Sequence, residues 1–187
     1  MTNMIYIVSG ASRSGKSIIA KKMLEDYQIP YMPIDVVMMG FMNGVKESGI
    51  HDKMWPNEIA KKLWGFLEGC IETLIHQDSD YLLEGEAFLP SLIQELIKKY
   101  PNKIKVVFIG YSHVTLDKKV KDVKTYPSGK NDWLKQLEDE AIIIHVKNMI
   151  DYSLRIKNDC EQYHLPYFDI TSNFHSSINQ VVSFLIK

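Results

Sequence analysis

Eight consecutive residues near the start of the chain have the types and spacing of a phosphate-binding loop. The segment from Gly10 to Ser17 reads GASRSGKS and matches the Walker A pattern G-x-x-x-x-G-K-[ST]. Its glycines allow a tight turn that brings backbone N–H groups close to phosphate oxygens, and Lys16 adds a mobile positive charge for the β- and γ-phosphates. The Ser17 hydroxyl is a suitable ligand for Mg²⁺. The segment therefore predicts a site for ATP and magnesium.

The elements on either side of this segment are those that the chemistry requires. An apolar strand is predicted at Met4 to Val8, and a helix from about Lys16 to Tyr27. The helix would point its free N–H groups and its positive dipole end at the bound anion. A glycine-rich turn with an accidental lysine would give the same letters about once in a hundred chains of this length or less often. The predicted nucleotide-binding residues are Gly10, Ala11, Ser12, Arg13, Ser14, Gly15, Lys16, Ser17 and Ile18.

Acidic residues follow two further predicted strands. Asp35 follows the strand Pro30 to Ile34, and Glu84 follows the strand Tyr81 to Leu83, with Glu86 two residues later. Ligands of parallel sheets bind beyond the carboxyl ends of the strands. We therefore expect Asp35 to orient the acceptor, Glu84 to act as a magnesium ligand or general base, and Glu86 to contact the substrate. The alternative is that Asp35 caps a helix and the two glutamates are solvated.

A lysine-rich stretch follows the fourth predicted strand, Ile104 to Ile109. It carries the turn signal Pro127-Ser128-Gly129, which suits a segment that closes over phosphates and excludes water. We expect a lid at about residues 113–140, in which Lys118 and Lys121 contact the substrate. The alternative is an ordinary solvated face.

The sequence allows two roles for each of three other side chains. Arg155, late in a long helix, could act on the phosphates as a catalytic residue or pair with Asp159 one turn later. Arg13 could lean over the bound nucleotide or point into water. Trp133 could cover a bound ring or pack against the apolar stripe of the following helix.

The remaining sequence alternates apolar strand-like runs with amphipathic helical runs. Helices are predicted from Pro56, at Pro90 to Tyr100, and at His175 to Ile186, and a fifth strand at Pro166 to Ile170. Residues 36–55 show no regular pattern. Five short strands with intervening helices predict an α/β protein with a doubly wound parallel sheet, and one domain over residues 1–187.

Composition narrows the possible partners. The net charge of −1 among 187 residues leaves no general field for nucleic acid or anionic membranes. No apolar stretch approaches the roughly 20 residues that cross a bilayer, and no basic leader precedes the first strand. We expect a cytoplasmic monomer or homodimer that binds a small-molecule acceptor, with no nucleic acid and no membrane. Cys70 and Cys160 are expected to be small apolar residues rather than a disulfide.

The segment Ser9 to Ser17, Asp35, and Leu83-Glu84-Gly85-Glu86 followed by Pro90 resemble the P-loop kinases of small metabolites. The sequence is most similar to 2-phosphoglycerate kinase; chloramphenicol phosphotransferase and shikimate-type kinases share the layout. The resemblance implies a three-layer P-loop NTPase fold, strand order 2-3-1-4-5 and a helical lid insertion. It also implies transfer of the γ-phosphate of ATP to a hydroxyl or phosphate of a small molecule. Residues 150–169 are similar to that family's arginine-bearing helix and fifth strand.

Two departures from that family bear on the substrate. The lid offers lysines in place of arginines, and residues 36–40 are apolar where an arginine often holds an acidic acceptor. A neutral alcohol or a nucleoside-like acceptor is therefore favoured. A nucleoside or nucleotide kinase and a regulatory ATPase remain the alternatives; a GTPase switch is disfavoured because its Asn-Lys-x-Asp motif is absent from the sequence.

Overall fold

Five parallel strands form the middle layer of the protein. They are described by a computed structural model that covers residues 3–128 and 132–187. The order β2-β3-β1-β4-β5 confirms the predicted order 2-3-1-4-5, and all four strand pairs are parallel. The strands are β1 Ile5–Gly10, β2 Tyr31–Pro33, β3 Tyr81–Glu84, β4 Ile104–Gly110 and β5 Tyr167–Asp169.

Helices cover both faces of this sheet. The helices are α1 Lys16–Tyr27, α2 Ile34–Gly44, α3 Pro56–Ile75, α4 Pro90–Lys99, α5 Leu116–Thr125, α6 Asp139–Tyr163 and α7 Phe174–Ile186. Alternate residues of the central strand face opposite layers: Ile5 and Ile7 belong to one buried cluster, and Tyr6 and Val8 to the other. The first cluster packs against α3, α4 and α6, and the second against α1 and α7. This three-layer arrangement is the predicted α/β fold.

The register of the sheet gathers the ends of three strands. Glu84, the last residue of β3, lies opposite Val8 on one side and Pro33 on the other. The loop that follows β1 and the helix that follows β2 therefore begin beside Glu84, as the rule for parallel sheets predicts.

The predicted absence of regular structure over residues 36–55 is wrong for its first half. Residues Ile34–Gly44 form α2, and a 3-10 turn follows at Lys46–Ser48. Only Ile34 of α2 is fully buried, and Phe41 packs edge-on against Phe66 of α3 with ring centroids 5.1 Å apart. Contact with α3 therefore supports a helix whose valine and glycine content is unfavourable for helix formation.

The part of the predicted lid that the structure describes is mainly helical. It contains α5 and a 3-10 turn at Trp133–Gln136, and it is held by a small apolar cluster made of Val123, Leu134, Ile142 and Val146. Gly129, the last residue of the predicted turn in this segment, lies outside the described residues. Cys160 is buried and Cys70 is half-buried, and both are free thiols. None of the helices described is both long and apolar enough to cross a membrane.

Candidate active site

Two glycines give the loop from Gly10 to Ser17, here called the phosphate loop, its shape. Gly10 has a φ of +127°, and a Cβ at this position would lie 1.9 Å from the carbonyl oxygen of Ile109 in β4. Gly15, at the start of α1, has a φ of +92°, and its Cβ would lie 2.9 Å from Ile178 Cδ1. Both conformations are rare for residues with side chains, and both positions lack space for one. The loop therefore requires these glycines.

The first two residues of the phosphate loop anchor it rather than face the cleft. The Ala11 N–H donates to the Ile109 carbonyl oxygen at 3.1 Å, and the Ala11 side chain is fully buried. The buried Ser14 hydroxyl donates to the Ala11 carbonyl oxygen at 2.7 Å and closes the turn. Of the predicted nucleotide-binding residues, those from Ser12 to Ile18 line the cleft, whereas Gly10 and Ala11 lie beneath it.

Lys16 lies along the inner side of this turn. Its Nζ donates to the carbonyl oxygens of Ala11 at 2.8 Å and Gly10 at 3.4 Å, and it lies 3.7 Å from Glu86 Oε1. The side chain is only 9% exposed. The charge is thus concentrated at the mouth of the loop, where it would meet the terminal phosphates of a nucleotide.

The two predicted metal ligands are in direct contact. Ser17 Oγ donates a hydrogen bond to Glu84 Oε1 at 3.0 Å. Burial raises the pKa of Glu84, while the nearby Lys16 charge and the Ser17 hydrogen bond oppose that shift and the carboxylates of Asp35 and Glu86 add to it. Mg²⁺ is usually held by one or two protein oxygens together with phosphates, so this pair is a suitable partial ligand set.

Asp35 and Glu86 complete an acidic group around this pair. Asp35 is exposed in the first turn of α2, and Glu86 is partly buried two residues after β3. Both line the same cleft as Lys16 and Glu84. The structure therefore brings together four residues that the sequence predicted separately: Lys16, Asp35, Glu84 and Glu86.

The cleft beside the phosphate loop, here called the loop cleft, has a volume of about 880 Å³. This is within the range of sites for small ligands and cofactors. Beyond the loop, its lining comes from α5, from the segment after β5 and from the part of the lid that carries Tyr126 and Trp133. Its outer walls include Tyr126, Trp133, Thr171 and His175.

The lid supplies the loop cleft with a different pair of lysines from the pair predicted. Lys118 lines the cleft and donates to the Thr171 carbonyl oxygen at 3.1 Å, whereas Lys121 is exposed and lies outside the cleft lining. Lys119, which was not predicted to contact the substrate, lines the cleft and is 7% exposed. It lies on the stripe formed by Leu116, Val120 and Val123, so helical phase is the signal that could have identified it.

Lys119 is a buried cation that touches the phosphate loop. Its Nζ donates to the Arg13 carbonyl oxygen at 3.0 Å and lies 3.5 Å from the centre of the Tyr111 ring, a cation–π contact. Tyr111 in turn donates to the Ser12 carbonyl oxygen at 2.6 Å. Burial lowers the pKa of Lys119 to about 8; Asp122 opposes this shift, and the charges of Arg13 and Lys16 add to it.

The Arg13 side chain does not point into water: it is 10% exposed, and Arg13 lines the loop cleft. Its guanidinium forms an ion pair with Asp132 of the lid, and its Nη1 lies 3.5 Å from the Tyr126 carbonyl oxygen, which accepts a hydrogen bond. The side chain therefore bridges the phosphate loop and the lid.

Arg155 lies outside the loop cleft. It lines a second cleft of about 380 Å³ between α6 and the start of α3, together with Trp55, Asn57, Glu58, Asn148, Asp151 and Tyr152. Within the described residues it forms no ion pair with Asp159 either. The two clefts are neighbours, because Tyr152 lines the second cleft and its hydroxyl donates to the Glu86 carbonyl oxygen at 3.3 Å.

Solved structures of small-molecule kinases share this fold. A gluconokinase from Sinorhizobium meliloti 1021 aligns with a TM-score of 0.61 at 14% identity, covering 99% of this chain and 92% of that one. A shikimate kinase from Bacteroides thetaiotaomicron aligns with a TM-score of 0.61 at 13% identity, covering 98% and 99%. A shikimate kinase from Aquifex aeolicus has a TM-score of 0.50 at 15% identity, covering 98% and 96%.

These similarities show that the chain has the fold of the P-loop small-molecule kinases, as the resemblance in sequence implied. No protein-family model matches the chain, and no curated protein matches it in sequence.

Proposed function

We propose that this chain is a kinase that transfers the γ-phosphate of ATP, with Mg²⁺, to a hydroxyl group of a small molecule. The observation that carries the proposal is the contact between Ser17 and Glu84 at 3.0 Å beside the buried Lys16, at the mouth of a loop that only glycines can form. The fold shared with a gluconokinase and a shikimate kinase supports it.

The residues of the loop cleft fit these cofactors. Bound ATP would supply the phosphoryl group, and Mg²⁺ would offset the charge that develops on it. Ser17 and Glu84 would hold the metal, Lys16 would hold the β- and γ-phosphate oxygens, and Lys119 would cover them from the lid. Lid closure of this kind excludes water, which would otherwise compete as an acceptor.

Asp35 is the residue best suited to orient the acceptor hydroxyl. It is exposed in the loop cleft and extends from the end of β2 beside Glu84. A carboxylate here can accept the hydrogen bond of the attacking hydroxyl and take its proton as the bond to phosphorus forms. Glu84 is less suited to this role because its oxygen already accepts the Ser17 hydrogen bond and its environment is buried.

The second cleft is the proposed site for the body of the acceptor. Its amide and carboxylate side chains, with Trp55 at its edge, suit hydroxyl groups attached to an apolar ring or chain. Arg155 is its only cation among the described residues, and the two carboxylates of Glu58 and Asp151 outnumber it. This charge composition and the apolar surface of α2 favour an uncharged acceptor over a strongly anionic one.

Substitution of Lys16 tests the proposal directly. We expect Lys16→Ala to keep the fold and to lower acceptor-dependent ADP formation by at least about a hundredfold, because a preorganised charge at the transferring phosphate is lost. The assay is ADP release with a panel of sugars, polyols, nucleosides and hydroxylated antibiotics. Lys21→Ala is the matched control, since Lys21 lies on the same helix and pairs with Glu25 at the surface.

Turnover in Lys16→Ala equal to that of the unmodified chain would refute the assigned role. ADP release that proceeds equally with and without every acceptor would instead indicate a nucleotide-hydrolysing switch.

A further inference from the structure

Trp133 is a large aromatic side chain that the lid does not bury. It is 51% exposed, it lines the loop cleft, and it is not part of the apolar cluster that holds the lid to α6. Its ring contacts His145 edge-on, with centroids 5.1 Å apart. This contact leaves much of the indole surface free.

The preceding residue fixes the position of this side chain. Asp132 is 4% exposed, and its carboxylate accepts the N–H groups of Ser128 at 3.1 Å and Leu134 at 3.2 Å. Burial by itself would raise the pKa of Asp132, but the hydrogen bonds from Arg13, Ser128 and Leu134 outweigh it and hold the pKa below its usual value. Asp132 is therefore ionised, and its hydrogen bonds to three residues hold the backbone next to Trp133 in place.

The remaining partner of Asp132 is Arg13 of the phosphate loop. Their side chains are 10% and 1% exposed, so solvent screens this ion pair little. Arg13 also has a φ of 56°, a left-handed conformation that is uncommon for residues other than glycine. The pair thus joins a strained position of the phosphate loop to the turn that carries Trp133.

We propose that Trp133 contacts the base of the bound nucleotide and that Asp132, through Arg13, is the positioning residue that holds it there. The inference rests on the proposed function, since the phosphates would occupy the loop at one end of the cleft. The base and sugar would then extend toward the lid end, where the free indole surface lies. An indole stacks on any base, and loss of one stacked ring typically lowers affinity about tenfold or more.

The test compares two triphosphate ligands, one that carries a nucleotide base and one that lacks it. The affinities of Mg²⁺-ATP and of Mg²⁺-tripolyphosphate are measured by calorimetry for the unmodified chain, Trp133→Ala, Trp133→Phe and Asp132→Asn. We expect Trp133→Ala to bind ATP about tenfold more weakly and tripolyphosphate unchanged, and Trp133→Phe to recover most of the loss. Asp132→Asn should also bind ATP more weakly and tripolyphosphate with unchanged affinity, although this variant keeps Trp133.

Asp139→Asn is the matched control for charge, because Asp139 is exposed and pairs with Lys124 at the start of α6; we expect it to change neither affinity. Equal affinity of Trp133→Ala and the unmodified chain for ATP would overturn the inference, as would equal losses for both ligands. Failure of the unmodified chain to bind either ligand would overturn the proposed function itself. If Asp132→Asn does not fold, the exposed Trp133 variants still decide the base contact.

Discussion

Lys119 is the residue whose protonation should control nucleotide binding. Its pKa of about 8 means that it loses its charge within a pH range that is easily measured. Between pH 7 and pH 9 the protonated fraction falls from about nine-tenths to about one-tenth. Phosphate binding favours the charged form, so the loss of protons must weaken binding as pH rises. We therefore expect the Kd for Mg²⁺-ATP to rise roughly tenfold over this interval, measured by calorimetry.

The control is Lys119→Arg, because arginine keeps its charge throughout this range. Its Kd for Mg²⁺-ATP should change little between pH 7 and pH 9, whatever its value at pH 7. The same tenfold rise in Lys119→Arg would assign the pH dependence to another group and contradict the role of Lys119.

The contrast between Lys119 and Lys121 shows what the sequence can and cannot predict about a site. Lys16, Ser17 and Glu84 could be selected because a motif and a strand end fix where their side chains must lie. The lid lysines share one helix: the apolar stripe of α5 separates Lys119 from Lys121 by helical phase, but which part of the cleft that side of α5 meets depends on how α5 packs on α6. The same limit applies to Arg155, which lines the second cleft: α6 was predicted, but the direction of each of its faces depends on its packing against neighbouring helices and the sheet.

The turn between β1 and α1 has little tolerance for substitution at Gly10. A Cβ at Gly10 would overlap the Ile109 carbonyl oxygen at 1.9 Å, so either the loop or β4 must move. We expect Gly10→Ala to lower the free energy of unfolding by about 3 kcal/mol or more, from backbone strain and lost strand contact. Urea denaturation followed by circular dichroism measures this change.

Gly65→Ala is the matched control in α3. Gly65 lies in the exposed middle of a helix, and a Cβ there would meet no atom within 4 Å. The same chemical change should raise the free energy of unfolding by about 1 kcal/mol, because alanine favours the helix over glycine. Equal unfolding midpoints for Gly10→Ala and the unmodified chain would contradict the tight contact between the phosphate loop and β4.

At the scale of elements, most of the architecture follows from local patterns. The strand order follows from a resemblance, and α1, α3 and α4 begin at the residues predicted from periodicity and from proline at Pro56 and Pro90. Helix α2 did not follow, because nearly every residue in this stretch is apolar, which hides the helical spacing of the residues that pack inward, Ile34, Val37, Met38 and Phe41. Its support is tertiary, through contacts such as that between Phe41 and Phe66, which a single sequence does not display.

In the whole molecule, the loop cleft and the second cleft meet at the short segment after β3 that contains Glu86. Glu86 lines the loop cleft with its side chain, and its carbonyl oxygen accepts the hydroxyl of Tyr152, which lines the second cleft. Under the proposed function, a nucleotide in the loop cleft and an acceptor in the second cleft would be bound at the same time, with the transferring phosphate between them. Direct in-line transfer then needs no phosphorylated side chain as an intermediate.

This arrangement predicts sequential kinetics. Initial rates measured over a grid of ATP and acceptor concentrations should give intersecting double-reciprocal lines, because both substrates must be present before transfer begins. A second measurement is independent of the acceptor: labelled ADP should not exchange into ATP when the acceptor is absent, since no residue takes the phosphate first. Parallel lines together with rapid exchange would contradict direct transfer and would identify a side chain of the acidic group, with Asp35 the most exposed candidate, as a covalent carrier.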